Sequence, residues 1–263
     1  MFTSADYRAF ARNALRGKWL TAALTASIAS LIGASLVGGG TSAVEFSEEE
    51  IQIITSNLSA EQVLLFTKIL WGIFAYSVIM GIVSFIVGGA AQLGYARFNL
   101  QLADGKDAKI SDLFSQFHRL ADGFLMSLLQ TVYLIGWTML FVIPGIVKSF
   151  SYAMTPYVLY ENPHLSPNEA ITESRSIMDG NKLDLFLLHL SFIGWNILAG
   201  IPSAVALYGL IFGHFLLLPL FFVTVIANLF IAAYTETAQA AFYRQITWKA
   251  PEQTEEPANE ETV

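Results

Sequence analysis

His189 and Asn196 lie seven residues apart, and Asn228 and Glu236 eight apart, in or beside a 51-residue window, Leu185–Thr235, without one Asp, Glu, Lys or Arg. Polar side chains in such surroundings are costly, and inside a bilayer they mark substrate or ion routes. A spacing of seven puts the first pair on one helical face, and a spacing of eight brings the second pair close to one. Two such faces in contact would line a polar path able to hold a small solute or a lipid headgroup. Gln130 and Lys148, each inside or between apolar runs, complete the candidate set. A plainer alternative stands beside this one. Asn and Gln hydrogen-bond across membrane helices as packing glue, and His189 and Glu236 fall near an inner, wet edge. Lys148 follows Pro144-Gly145, where a broken helix frees backbone groups for an ion, or where the lysine snorkels to water.

Other chemistries find no support. A lone histidine without a second ligand at metal spacing makes no metal site. The chain has no cysteine, which excludes disulfides and thiolate nucleophiles. The H-E-x-x-H, G-x-S-x-G, P-loop and dinucleotide fingerprints are missing. The expectation is a non-enzyme with no catalytic residue, cofactor or metal. No basic stripe suggests nucleic acid. The net charge of −7 says little about partners, because its acids concentrate in two places. Glu45, Glu48, Glu49, Glu50 and Glu61 share one loop, and Glu252, Glu255, Glu256, Glu260 and Glu261 share the tail.

The elements that must position these residues follow from hydropathy. Charged residues make up 13% of the chain and hydrophobic ones 54%, about half the charge of a soluble domain. The uncharged windows are Trp19–Val44, Ile69–Ala96, Gly123–Val147, Ser149–Tyr160 and Leu185–Thr235. A crossing helix needs about 20 apolar residues. The first two windows give one span each. The last gives two, with a turn expected around Pro202 and Gly209. Gly123 to Tyr160, interrupted only by Lys148, gives two more about a turn at Ile143-Pro144-Gly145. The first window is longer than the apolar core of a signal peptide, about 7–15 residues, and reads as a retained span; Thr41-Ser42-Ala43 leaves a cleaved leader as the lesser alternative.

Six spans with the N-terminus inside put Arg8, Arg12, Arg16, Lys18, Arg97, Lys106, Lys109, Arg119, Arg175, Lys182, Arg244 and Lys249 on one side, leaving only Lys68 and Lys148 outside. Cytoplasmic loops carry such an excess, so both termini are expected to be cytoplasmic.

Landmarks recur along the chain. Ile135-Gly136-Trp137 returns as Ile193-Gly194-Trp195, Ile143-Pro144 as Ile201-Pro202 and Asp122-Gly123 as Asp179-Gly180. An amphipathic helix precedes each hairpin. Tyr7, Phe10, Ala11, Ala14 and Leu15 mark the first, Ile110, Leu113, Phe114, Phe117 and Leu120 the second, and Ala170, Ile171, Ile177 and Met178 the third. Glycines 17, 123 and 180 are expected to end these helices, and Ser166-Pro167-Asn168-Glu169 reads as a capping box. The fold class is therefore all-α: a polytopic bundle of six transmembrane helices in three parallel repeats, each an interfacial helix plus a hairpin. One membrane domain, residues 1–249, holds units at about 4–100, 110–161 and 166–245, and residues 250–263 form a disordered acidic cytoplasmic tail. Pro156 and Pro219 are expected to kink their spans. Ala22, Ala26, Ser30 and Ala34 form a small-residue stripe for close helix packing.

The stretch Ile143-Pro144-Gly145-Ile146-Val147-Lys148-Ser149-Phe150-Ser151-Tyr152-Ala153-Met154-Thr155-Pro156-Tyr157, with Asn162-Pro163, Ala170-Ile171-Thr172-Glu173-Ser174-Arg175 and Gly180-Asn181-Lys182, resembles the signature region of domain-of-unknown-function family 975. The resemblance implies a six-helix protein of the bacterial cell membrane. It also implies a fold like the membrane domain attached to some glycerophosphodiester phosphodiesterases. It brings no activity or catalytic residue. Membrane lipids are the expected partners. The expected role is lipid or small-solute handling. The alternative is a structural or regulatory partner of another protein, and an intramembrane enzyme comes last.

Overall fold

The computed structural model describes residues 3–34, 59–211, 214–217 and 219–247. Helices account for nearly all of them, and no strand occurs among the described residues. In chain order they are α1 (Ser4–Ala14), α2 (Trp19–Leu31), α3 (Ala60–Ala103), two short 3-10 turns (Ile110–Phe114 and Phe117–Arg119), α4 (Leu120–Leu140), α5 (Val142–Tyr152), α6 (Thr155–Glu161), α7 (Pro167–Ile177), α8 (Lys182–Ile211), a 3-10 turn (Phe215–Leu217) and α9 (Leu220–Thr247). Four stretches are long and apolar enough to cross a membrane: Glu61–Ala103, Ile110–Leu140, Lys182–Gly209 and Leu220–Thr247. Most of the acidic loop and the whole acidic tail lie outside the described residues.

Local chemistry sets the helix ends. At α7, the Ser166 amide donates to Glu169 Oε2 at 2.7 Å, the Ser166 hydroxyl donates to the same oxygen at 2.8 Å, and the Glu169 amide donates back to Ser166 Oγ at 3.4 Å. The Ser166 amide, and then its hydroxyl, donating to the carboxylate hold Glu169 below its usual range. Ser59 and Gln62 repeat the device at α3. Gly17 and Gly180 take positive φ, 73° and 80°, and stop α1 and α7 as expected.

Several expectations are corrected. Gly123 does not end a helix; it lies inside α4, where a Cβ would come 2.3 Å from the Ala90 amide nitrogen. The second amphipathic segment forms 3-10 turns instead of an α-helix. The break near Pro144 falls at Phe141, one extended residue between α4 and α5, and Pro144 sits in the first turn of α5, where a missing N–H costs nothing. Pro202 lies within α8, so the turn comes after Ile211. Pro219 immediately precedes α9 and kinks nothing. Pro156 opens α6 after the break at Ala153–Met154, so Ser149–Tyr160 is not one continuous rod. On α2 the buried face runs through Ala22, Ala26 and Ala29, with Ser30 exposed.

Packing is concentrated at one end. Leu93, Ala96 and Leu100 of α3, Tyr157 to Leu159 of α6, Leu185, Leu188 and Phe192 of α8, and Ala238 to Tyr243 of α9 join Tyr7 and Ala11 of α1 in one buried core. A second cluster sets α2 against Tyr95, Phe98 and Leu102. The basic residues Arg12, Lys106, Arg175 and Arg244 belong to elements at this end. Away from it, the apolar side chains of α3, α8 and α9 are largely exposed: Trp71, Ile82, Ile197 and Phe222 face outward. Water would not tolerate so much exposed apolar surface, whereas hydrocarbon is its natural surrounding.

Candidate functional site

Polar residues meet inside the packed end, on one face of α9. Glu236, Gln239 and Tyr243 recur at i, i+3 and i+7, which returns them to one stripe of the helix. All three are buried, Glu236 at 2% exposure. From α8, His189 Nε2 lies 3.0 Å from Gln239 Oε1, so a ring N–H donates to the amide oxygen. The Phe150 ring lies 5.8 Å from the same imidazole. From α6, the Tyr157 ring stacks on Tyr243 at 5.1 Å. Tyr95 and Tyr157 both feel the Glu236 carboxylate electrostatically. Asn99, one turn beyond Tyr95, donates to the Tyr95 carbonyl at 3.1 Å. Two polar atoms in this knot, Tyr157 Oη and Gln239 Nε2, are buried and have no hydrogen-bond partner among the described residues. Such a group costs about 1–3 kcal/mol, so the knot is not an optimised piece of packing.

Below the knot, one turn towards the end of α9, Arg244 gathers three helix ends. Its guanidinium donates to Asp104 at the end of α3 through two bonds of 2.7 and 2.8 Å, and to Glu161 at the end of α6. Tyr243 Oη donates to the other Glu161 oxygen at 2.8 Å. A planar fork suits paired carboxylates in this way. Lys106 adds a contact to Asp104 at 3.4 Å, and Lys18 donates to the Lys106 carbonyl at 2.6 Å, which brings the foot of α2 to the same corner.

The six sequence candidates do not converge. His189 and Glu236 reach the knot. Asn196 and Asn228 are exposed, and the Asn196 amide donates to Phe192 O of its own helix at 3.0 Å. Gln130 donates to the Tyr152 carbonyl at 3.1 Å, a link between α4 and α5. The Lys148 ammonium sits 4.6 Å above the Trp137 ring. Sequence reading missed Gln239, Tyr157, Tyr243, Glu161, Asp104 and Arg244. The stripe Glu236–Gln239–Tyr243 was there to be found. Pairing Glu236 with Asn228 obscured it, because eight residues leave the two about 80° apart round a helix. Among the described residues no group of three His, Cys, Asp or Glu could hold a metal ion.

No curated protein and no solved structure matches the chain. The expected likeness to the membrane domain of glycerophosphodiester phosphodiesterases is not shown. The model of a family described as a protein of unknown function (DUF975) matches residues 135–250, a stretch that contains Lys148, the α6–α7 region and the whole polar stripe of α9; over that stretch the chain is similar to that family.

Proposed function

We propose that this is a multi-pass protein of the bacterial cell membrane, with both termini cytoplasmic, that binds its ligand without transforming it and handles a lipid or a small solute. The observation that carries the reading is the buried knot of Glu236, His189 and Gln239 inside an otherwise apolar bundle. Ionisable groups so placed are expensive and are kept where they contact something polar that passes or binds. The test is reconstitution into liposomes with labelled phospholipid and small-solute probes. Glu236→Gln together with His189→Ala should abolish binding or movement of the probe that wild type handles. Unchanged behaviour of the double variant would remove the polar knot from the function.

A second reading, a membrane partner for another protein, is favoured by α3. The most apolar window of Glu61–Ala103 has none of its residues buried within the chain. Cross-linking from this helix in native membranes should then trap a protein instead of lipid alone.

The basic residues support the side but not the number of crossings. Six crossings in three like-oriented units, or four plus a pair that enters and leaves one face, differ in the side of one basic residue alone, Lys148.

A further inference from the structure

The α4–α5 pair decides between those two. We propose that this hairpin does not cross the bilayer, and that its tip, Trp137–Val147, is a wedge seated among the acyl chains of the leaflet on the basic side. The proposal rests on the reading that the chain is a membrane protein with its basic side cytoplasmic.

The returning limb shows how little depth is covered. Phe150 packs on Phe186 and on His189, each at 5.8 Å, and His189 in turn meets Gln239 of α9. Eleven residues later, Glu161 meets Arg244 of the same helix. Gln239 and Arg244 are five residues apart, about 7.5 Å along α9 at 1.5 Å per residue. A crossing would have to advance about 30 Å. The break at Ala153–Met154 folds the limb back into the core instead of letting it run through.

The outgoing limb is tied to the same level. Tyr133 Oη donates to Asn168 Oδ1 at 2.9 Å, and Ser174 Oγ donates to the Ser151 carbonyl at 2.9 Å. Asn168 and Ser174 belong to α7, whose Glu169, Glu173 and Arg175 are exposed. Hydrocarbon does not accommodate three exposed charges on one short helix, so α7 lies in water or among headgroups, and Tyr133 lies within a side chain's length of it. Beyond Tyr133, α4 has seven residues left, about 10 Å, and α5 returns through about 13 Å before Ser151. Those lengths reach into one leaflet of a layer about 30 Å thick and no further.

The side chains suit that depth. Met139, Leu140, Phe141, Val142 and Ile143 are five consecutive exposed apolar residues, Met139 at 83% and Ile143 at 75%. Uncharged sequence continues on both sides, from Gly123 to Val147. At the base, Lys148 stands over Trp137 within electrostatic reach of Arg175 and Lys182. An aromatic ring and clustered cations are the groups found at the headgroup level. Lys148, expected outside, thereby joins the cytoplasmic basic residues.

The chain has no native thiol, so Phe141→Cys and Met139→Cys each carry a single probe site in the full-length protein. Each is labelled with a bimane in liposomes whose acyl chains are brominated at a shallow or a deep carbon, and each is challenged in whole cells with an impermeant maleimide. Glu48→Cys serves as the outer-face control. The expected result is quenching by brominated chains, stronger for the shallow bromine, with no reaction from the cell exterior. Reaction from the exterior at Phe141→Cys or Met139→Cys means a crossing and overturns the proposal. Absence of quenching by either lipid means a tip in water and overturns it as well. Reaction of Glu48→Cys from the cytoplasmic face alone would instead reverse the orientation, and the assignment of leaflet would fall with it.

Discussion

His189 and Gln239 make a side-chain bond between α8 and α9 at the level of the buried knot, and they show how a contact holds polar atoms in an apolar place. His189→Ala leaves the Gln239 amide oxygen buried without its donor. The expected cost is about 1–3 kcal/mol, read as a lower unfolding midpoint in detergent. His189→Phe combined with Gln239→Leu removes both polar partners and should recover most of that loss, because a matched apolar pair leaves nothing unsatisfied. Of the knot, His189 and Glu236 were legible in the sequence as polar residues beside a charge-free window. Gln239 was not, because it falls among alanines past the end of that window, at Ala238 and Ala240, where its neighbours give no contrast. Tyr157 and Tyr95 were invisible for a different reason. Tyrosine in an apolar run reads as packing until a carboxylate is known to face it.

At the scale of elements, close approach of backbones decides which helices can touch. A Cβ on Gly89 would lie 2.0 Å from the Gly123 carbonyl oxygen, and one on Gly94 equally near the Leu113 carbonyl oxygen. The obstacle is backbone, which cannot swing aside. Gly89→Ala should therefore separate α3 from α4 and cost about 1–3 kcal/mol or more by overpacking. Gly136→Ala, with nothing within 4 Å of its Cβ, should leave the folded yield and thermal midpoint unchanged or slightly raised, since alanine is the better helix former. Size-exclusion profiles and thermal scans of the two variants side by side make the comparison. Helix existence was readable from apolar windows and caps. The breaks were not. Pro144 and Pro202 have the same local sequence, Ile-Pro, yet one stands in a first turn and the other inside a helix. A proline tells where an N–H is lacking, and tertiary packing chooses between a helix start and a tolerated interior.

Across the whole molecule, the asymmetry of charge and the asymmetry of packing coincide. The end that carries the arginines is the end with the filled core, and the far ends of the long helices meet little protein. Arg244 is the tie among α3, α6 and α9 at that end, with its side chain about a third exposed. Arg244→Ala should cost about 1–2 kcal/mol after allowance for solvent and should speed amide exchange at the ends of all three helices together. Arg244→Lys should restore little of it, because an ammonium cannot present two parallel bonds to Asp104. The side on which the basic residues gather was legible from their count alone. The number of crossings was not, because a limb that turns back and a limb that crosses twice differ in the side of Lys148 alone.

The length of α3 has a mechanical outcome. Its contact with α4 at Gly89 divides the rod into an arm of about 21 Å, ending beside Asp104, and a longer arm of about 44 Å towards Ala60. A stiff rod resting on such a fulcrum is a lever. A tilt about that contact would carry the Ala60 end through about twice the displacement of the Asp104 end.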